Sequence, residues 1–174
     1  SNLNFGSGLL ALDGDTLLWS RVSDGLVRKA TLSTGGVDPY YPASAFTGAL
    51  GINSDIDIGG IDRAPVGTFA HPLIYDGDIV ITDVGVPSSP IDDAIYACTP
   101  GGGCVAITKN KSTLVNPTDV AVTTDALYVV DSGANTKLYR IDENGSVIAQ
   151  QVTDQGAGIL NGRFRGVEWE PTTN

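Results

Sequence analysis

The chain has 174 residues, with 20 acidic against 10 basic side chains and a formal charge of −10. That length suits one domain with a real core. The charge excludes nucleic acid as a partner, because little here would neutralise phosphates. A hydrophobic fraction of 41% is too high for a disordered acidic chain, and no apolar run reaches the roughly 18 residues of a membrane-spanning helix. Gly is 22, Pro is 9 and Asp far exceeds Glu, a balance that favours turns over long helices.

In chain order, TLLWS (16–20), LVRKATL (26–32), DIVITDV (78–84), AIYAC (94–98), CVAIT (104–108), DVAV (119–122), ALYVVD (126–131), KLYRID (137–142) and SVIAQQV (146–152) read as strands. All are short and rich in β-branched or aromatic residues. Asp13-Gly14, Asp24-Gly25, Asp76-Gly77 and Asn144-Gly145 supply hairpin turns between strands. No segment keeps a 3.6-residue period behind a capping residue, so little helix is expected. Cys98 and Cys104 flank Thr-Pro-Gly-Gly-Gly, a tight reversal that brings two sulfurs into bonding range. A disulfide there points to an oxidising, extracellular compartment. The chain opens at Ser1 without a basic-then-apolar leader and holds no Met, as a segment of something longer would.

Three stretches line up as repeats, at 8–36, 71–108 and 116–152. Each offers a strand, a tight turn, a strand ending in a polar residue, a loop and a further strand. Ser20, Asp83 and Asp131 are the matching polar residues. Residues 163–171, RFRGVEWEP, read as the opening strand of a fourth unit, and 37–66 as a long insertion. Strand-like alternation in GALGINSDIDIGGID also fits a degenerate blade hidden in that insertion. Units of this kind are propeller blades, so the expected fold is an all-β domain over 1–174 made of antiparallel blades, three and a partial one. Because propeller rings have at least four blades, the chain is expected to be a piece of a larger propeller or a subunit that other copies complete.

NPTDVAVTTDALYVVDSGANTKLYRID resembles an NHL-type repeat, and the first two units are similar to repeats of secreted bacterial surface proteins. The resemblance covers about 100 of the 174 residues. It implies an extracellular scaffold binding a protein or glycan, from a superfamily that also holds calcium-dependent hydrolases and lyases. In those enzymes acids at such strand ends hold a metal, which would give that role to Asp83 and Asp131, joined by Glu168. In NHL repeats the same acid is usually structural, bonding the following loop, which is the favoured reading here, and Ser20 replaces the acid in the first unit.

Asp55, Asp57 and Asp62 in NSDIDIGGID form the sharpest acidic cluster. Oxygen ligands at alternate positions suit calcium, although the EF-hand spacing is not met. The competing reading is a strand with Ile56, Ile58 and Ile61 inward. Tyr40, Tyr41 and Phe46 in the insertion form an aromatic cluster, read as a partner-binding surface if exposed and as a cap if buried. His71, the one histidine, precedes Pro72 where Asn116 precedes Pro117 in the third unit, as a loop-capping residue would. No nucleophile elbow is found. The favoured function is therefore a secreted, non-catalytic scaffold. A calcium-dependent hydrolase or lyase and a self-assembling structural subunit are the alternatives.

Overall fold

The computed structural model describes residues 8–21, 25–48, 51–52, 57–68, 70–84, 94–108, 114, 116–131, 137–142 and 147–150. Asp55, Ile56, Glu168 and the 163–171 segment lie outside them. The described residues form fourteen β-strands, one short 3-10 turn at Ala43–Ala45 and no α-helix.

Three sheets follow one another along the chain. The first is a four-strand meander of β1 (Leu9–Ala11), β2 (Thr16–Arg21), β3 (Leu26–Thr31) and β4 (Gly36–Tyr41). The second has β5 (Phe46–Gly48), β6 (Gly51–Ile52), β7 (Ile58–Arg63), β8 (Ile79–Asp83), β9 (Ile95–Cys98) and β10 (Cys104–Ala106), in the order β6-β5-β10-β9-β8-β7. The third is a meander of β11 (Pro117–Val122), β12 (Leu127–Asp131), β13 (Lys137–Ile141) and β14 (Val147–Gln150). Every strand pair is antiparallel except β5 with β10. Short antiparallel meanders stacked in chain order are blades, and the fold is all-β of propeller type.

The stretch expected to be an insertion, 37–66, is instead woven into the sheets. It supplies most of β4, both strands that extend the second sheet and the whole of β7. β7 falls in the GALGINSDIDIGGID stretch whose alternation already read as strand-like, whereas β4 had no such signal because Pro39 interrupts the usual β composition. Pro39 is tolerated because β4 is an edge strand.

β8 and β9 of the second sheet are buried on both faces, which is why DIVITD shows a continuous apolar run rather than alternation. Ile79, Ile81, Tyr96 and Cys98 join Leu18, Val27, Tyr41 and Phe46 in one core. Val80, Ile95 and Ala97 join Val120, Val122, Leu127 and Val129 in another. The 98–104 disulfide is formed, between residues directly opposed on β9 and β10. Such a small loop is worth about 2 kcal/mol by loop-closure entropy. At the 76–77 turn Gly77 takes a φ of 84°, the left-handed region expected of an Asp-Gly hairpin.

The tightest packing is at β7. A Cβ on Gly60 would lie 2.5 Å from the Cα of Asp119 and 2.9 Å from the Val120 nitrogen; one on Gly59 would lie 2.9 Å from the Thr118 carbonyl oxygen. A Cβ on Gly8, just before β1, would lie 2.8 Å from the Gly59 carbonyl oxygen. The inner strands of the three sheets thus meet backbone to backbone. Gly59 and Gly60 also fall within a β-bulge, since Ile58 opposes Asp83 and Ile61 opposes Ile81.

Gly60→Ala should therefore lower stability by about 3 kcal/mol through overpacking against main chain. Gly14→Ala, with nothing within 4 Å of the added carbon, should change it by less than about 0.5 kcal/mol. Urea unfolding of both variants checks this.

Candidate functional site

The matching polar residues of the repeat fall where the sequence placed them, at the ends of second strands, and all three are buried. Asp83 is fully buried and its Oδ1 accepts a hydrogen bond from the Asp57 N–H at 2.9 Å. The Val84 N–H donates back to the Asp57 carbonyl at 2.7 Å. Asp131 is 3% exposed and accepts from the Asn116 N–H at 3.1 Å. Asp57 and Asn116 are the residues immediately before β7 and β11. Each acid thus ties the entry of its own sheet's first strand to the end of the second. A bulge follows both ties, at Ile58/Ile61 and at Pro117/Asp119.

The first sheet lacks this arrangement. Ser20 is fully buried, its N–H donates to the Gly8 carbonyl at 3.1 Å, and its Oγ has no hydrogen-bond partner. Serine is too short to reproduce the carboxylate tie, and β1 pairs with β2 without a bulge.

Asp62, the other described member of the acidic cluster, joins two sheets. Its Oδ2 accepts from the Val122 N–H of β11 at 2.6 Å, and its Oδ1 from the Arg63 N–H at 2.7 Å. Ile58 and Ile61 point inward, as the strand reading of this segment required. Asp55 lies outside the described residues. Among the described residues, no group of three His, Cys, Asp or Glu side chains gathers as a metal would need. Asp57 contributes main-chain groups to the Asp83 tie. Asp62, Asp83 and Asp131 thus each anchor main chain through at least one carboxylate oxygen.

The aromatic cluster of the former insertion needs correcting as a partner surface. Tyr41 and Phe46 are fully buried, and Tyr40 is half-buried against the same core. Edge-to-face contacts run Tyr40–Tyr41–Phe46–Tyr96, with centroid separations of 4.6, 6.5 and 5.3 Å. The Tyr41 hydroxyl donates to the Thr99 carbonyl at 2.9 Å, and burial pushes its pKa well above the ordinary phenol value. The rings join the first sheet to the disulfide hairpin and leave Tyr41 and Phe46 no surface for a partner.

Exposed apolar side chains are spread over the described residues: Leu9, Leu32, Val37 and Val105 stand elsewhere, and Val66, Leu73 and Tyr75 lie in the 64–78 connection between β7 and β8. Val66 is 88% exposed and Tyr75 66%. Thr68, Ala70, His71, Pro72, Ile74, Tyr75 and Asp76 line an open cleft of about 710 Å³. The loop is held firmly. Asp76 Oδ1 accepts from the N–H groups of Gly67 at 3.1 Å and Thr68 at 3.0 Å. The buried Asp78 accepts from the Tyr75 N–H at 2.9 Å, and the Tyr75 hydroxyl donates to the Pro72 carbonyl at 3.2 Å. His71 Nδ1 accepts from the Leu73 N–H at 3.1 Å, the turn-capping role its place before Pro72 implied. Burial lowers the His71 pKa, with Asp142 pulling the other way. The neutral ring this favours leaves Nδ1 able to accept. Burial likewise raises the pKa of Asp78. The sequence signal for this cleft was a run of apolar residues, HPLIY, set beside a turn rather than inside a strand.

Asp83→Ala and Asp131→Ala should each cost about 2–3 kcal/mol, because each leaves a main-chain N–H without its charged acceptor. Ser20→Ala should cost less than about 0.5 kcal/mol, since no hydrogen bond is lost. Chemical denaturation of the three variants tests this ordering.

No protein-family model matches the sequence, and no curated protein matches it. Among solved structures, the chain is similar to selenomethionine-substituted virginiamycin B lyase from Staphylococcus aureus, with a TM-score of 0.49 and 16% identity over 87% of this chain and 57% of that one. It is similar to a catalytically inactive form of that lyase with quinupristin, with a TM-score of 0.49 and 16% identity over 89% and 58%. A streptogramin B lyase gives a TM-score of 0.44 and 12% identity over 86% and 56%. The chain therefore spans less than two thirds of the length of each of these structures.

Proposed function

We propose that this chain is part of an NHL-like, extracellular, non-catalytic scaffold that binds a protein or glycan ligand through the loop end bearing residues 64–78. The observation that carries the reading is a division of labour. The acids at the strand ends are engaged in holding main chain, whereas Val66, Leu73 and Tyr75, three of the seven large apolar side chains exposed among the described residues, stand on one anchored loop. Val66, Leu73 and Tyr75 offer contact area at small cost in disorder, because hydrogen bonds already fix the loop around Asp76 and Asp78. Rigid blades carrying adapted loops are a recurring way to build a binding surface. The Cys98–Cys104 disulfide supports an oxidising, extracellular setting.

The test is binding to arrays of soluble glycans and of peptides, with the triple variant Val66→Ser, Leu73→Ser, Tyr75→Ser as control. The reading predicts a ligand whose affinity falls at least tenfold in the variant, with the β-sheet circular dichroism unchanged. Equal binding by the variant would move the site off this loop. Calcium-dependent turnover of lactone or phosphoester substrates, lost in Asp83→Asn, would replace the scaffold with the hydrolase or lyase alternative.

A further inference from the structure

We infer that the 64–78 cleft takes a cationic side chain, an arginine guanidinium or a lysine ammonium presented by an extended peptide. The inference rests on the scaffold reading and narrows its ligand.

The cleft has two chemically distinct parts. Ala70, Pro72 and Ile74 make an apolar floor, and Tyr75, two-thirds exposed, offers an aromatic ring. The next residue, Asp76, is exposed and is the one acidic group in the lining, which contains no Lys or Arg. His71, also in the lining, is biased toward its neutral form by burial, so it does not oppose a cation there. An aromatic ring attracts a cation through its quadrupole, and a neighbouring carboxylate supplies the counter-charge. The aliphatic stem of Arg or Lys suits the apolar floor, as such stems cover apolar surface while the head stays polar.

Both groups are preorganised. The Tyr75 hydroxyl is tethered to the Pro72 carbonyl at 3.2 Å and its N–H to Asp78 at 2.9 Å. Asp76 is fixed through Oδ1 by two main-chain amides, which directs its charge without using its second oxygen in those bonds. The nearby charges are mixed with acids in excess: Arg63 Nη2 lies 3.6 Å from where a Cβ on Gly77 would stand, against Asp76, Asp125 and Asp142. Asp125 and Asp142 follow β11 and β13 at the same end of the third sheet, where the Thr68 hydroxyl reaches the Thr123 carbonyl at 3.4 Å. Arg140 answers Asp125 at 3.7 Å. With a formal charge of −10 on the whole chain, a cationic peptide is drawn in and an anionic one repelled.

The experiment is calorimetric titration of the intact chain with a short capped peptide carrying one arginine flanked by leucines. The same peptide with citrulline in place of arginine is the uncharged isostere. Tyr75→Ala and Asp76→Asn are the variants, Asn keeping the Oδ1 acceptor that the loop needs. The expected result is binding of the arginine peptide that weakens at least tenfold with citrulline, with either variant and with a rise from 50 to 500 mM salt. Equal binding of the two peptides, or binding indifferent to both variants, overturns the inference. If the arginine peptide fails while a glycan from the array binds in a Tyr75-dependent way, the cation is wrong and the scaffold reading stands. If no array ligand depends on this loop, both fall.

Discussion

The approach of three backbones at β7 is the constraint on which the rest of the structure depends. Gly59 and Gly60 have no side chain of their own to hold this strand off β11, whose Asp119 carboxylate fills the space over Gly60, and Gly8 brings the start of the first sheet against it. With the main chains that close, the middle strands β8 and β9 of the second sheet are buried on both sides. The bulge at the glycines turns β7 as it passes its neighbours. Once the inner strands are nested, the aromatic contacts from Tyr40 to Tyr96 and the Cys98–Cys104 hairpin close the outer part of the first core.

Close approach of backbones leaves amides that water cannot reach, and the acids answer that need. Asp83 and Asp131 each take the N–H that precedes an inner strand, while Asp62 crosses to take the N–H of Val122. Buried carboxylates without such donors would be costly. Asp62, Asp83 and Asp131 each give at least one carboxylate oxygen to a main-chain amide. The anchored 64–78 loop combines satisfied main-chain groups with the most exposed of the apolar side chains, Val66.

Much of this was legible in the sequence. The strands after Asp13-Gly14 and Asp76-Gly77, the short-loop disulfide and the equivalence of Ser20, Asp83 and Asp131 all follow from local chemistry. β4 was not legible as a strand, and β7 was legible as one of two readings of NSDIDIGGID. Pro39 and the paired glycines lower strand propensity, and only contact with other sheets restores it. Tyr41 and Phe46 sit in a stretch of turn-like composition, so nothing local told that both would be buried. The facing of the sheets was also hidden. Leu18 and Ile81 are matching residues of the repeat, two before Ser20 and Asp83, yet both point into the same core, so the first two sheets meet by equivalent faces. The second and third sheets meet by unlike ones, Val80 against the core that holds Val129. Repeat alignment gives the strands of a blade but not its orientation.

Amide hydrogen exchange tests the central claim most directly, because it reads protection residue by residue without altering the packing. Nesting at β7 predicts that the slowest amides are those of Gly60, Val122 and the β7–β8 ladder, all opening only in global unfolding. The β3–β4 edge of the first sheet should exchange orders of magnitude faster. If the β7 amides exchange as readily as those of β4, the inner strands are not the keystone of this fold and the account built on them is wrong.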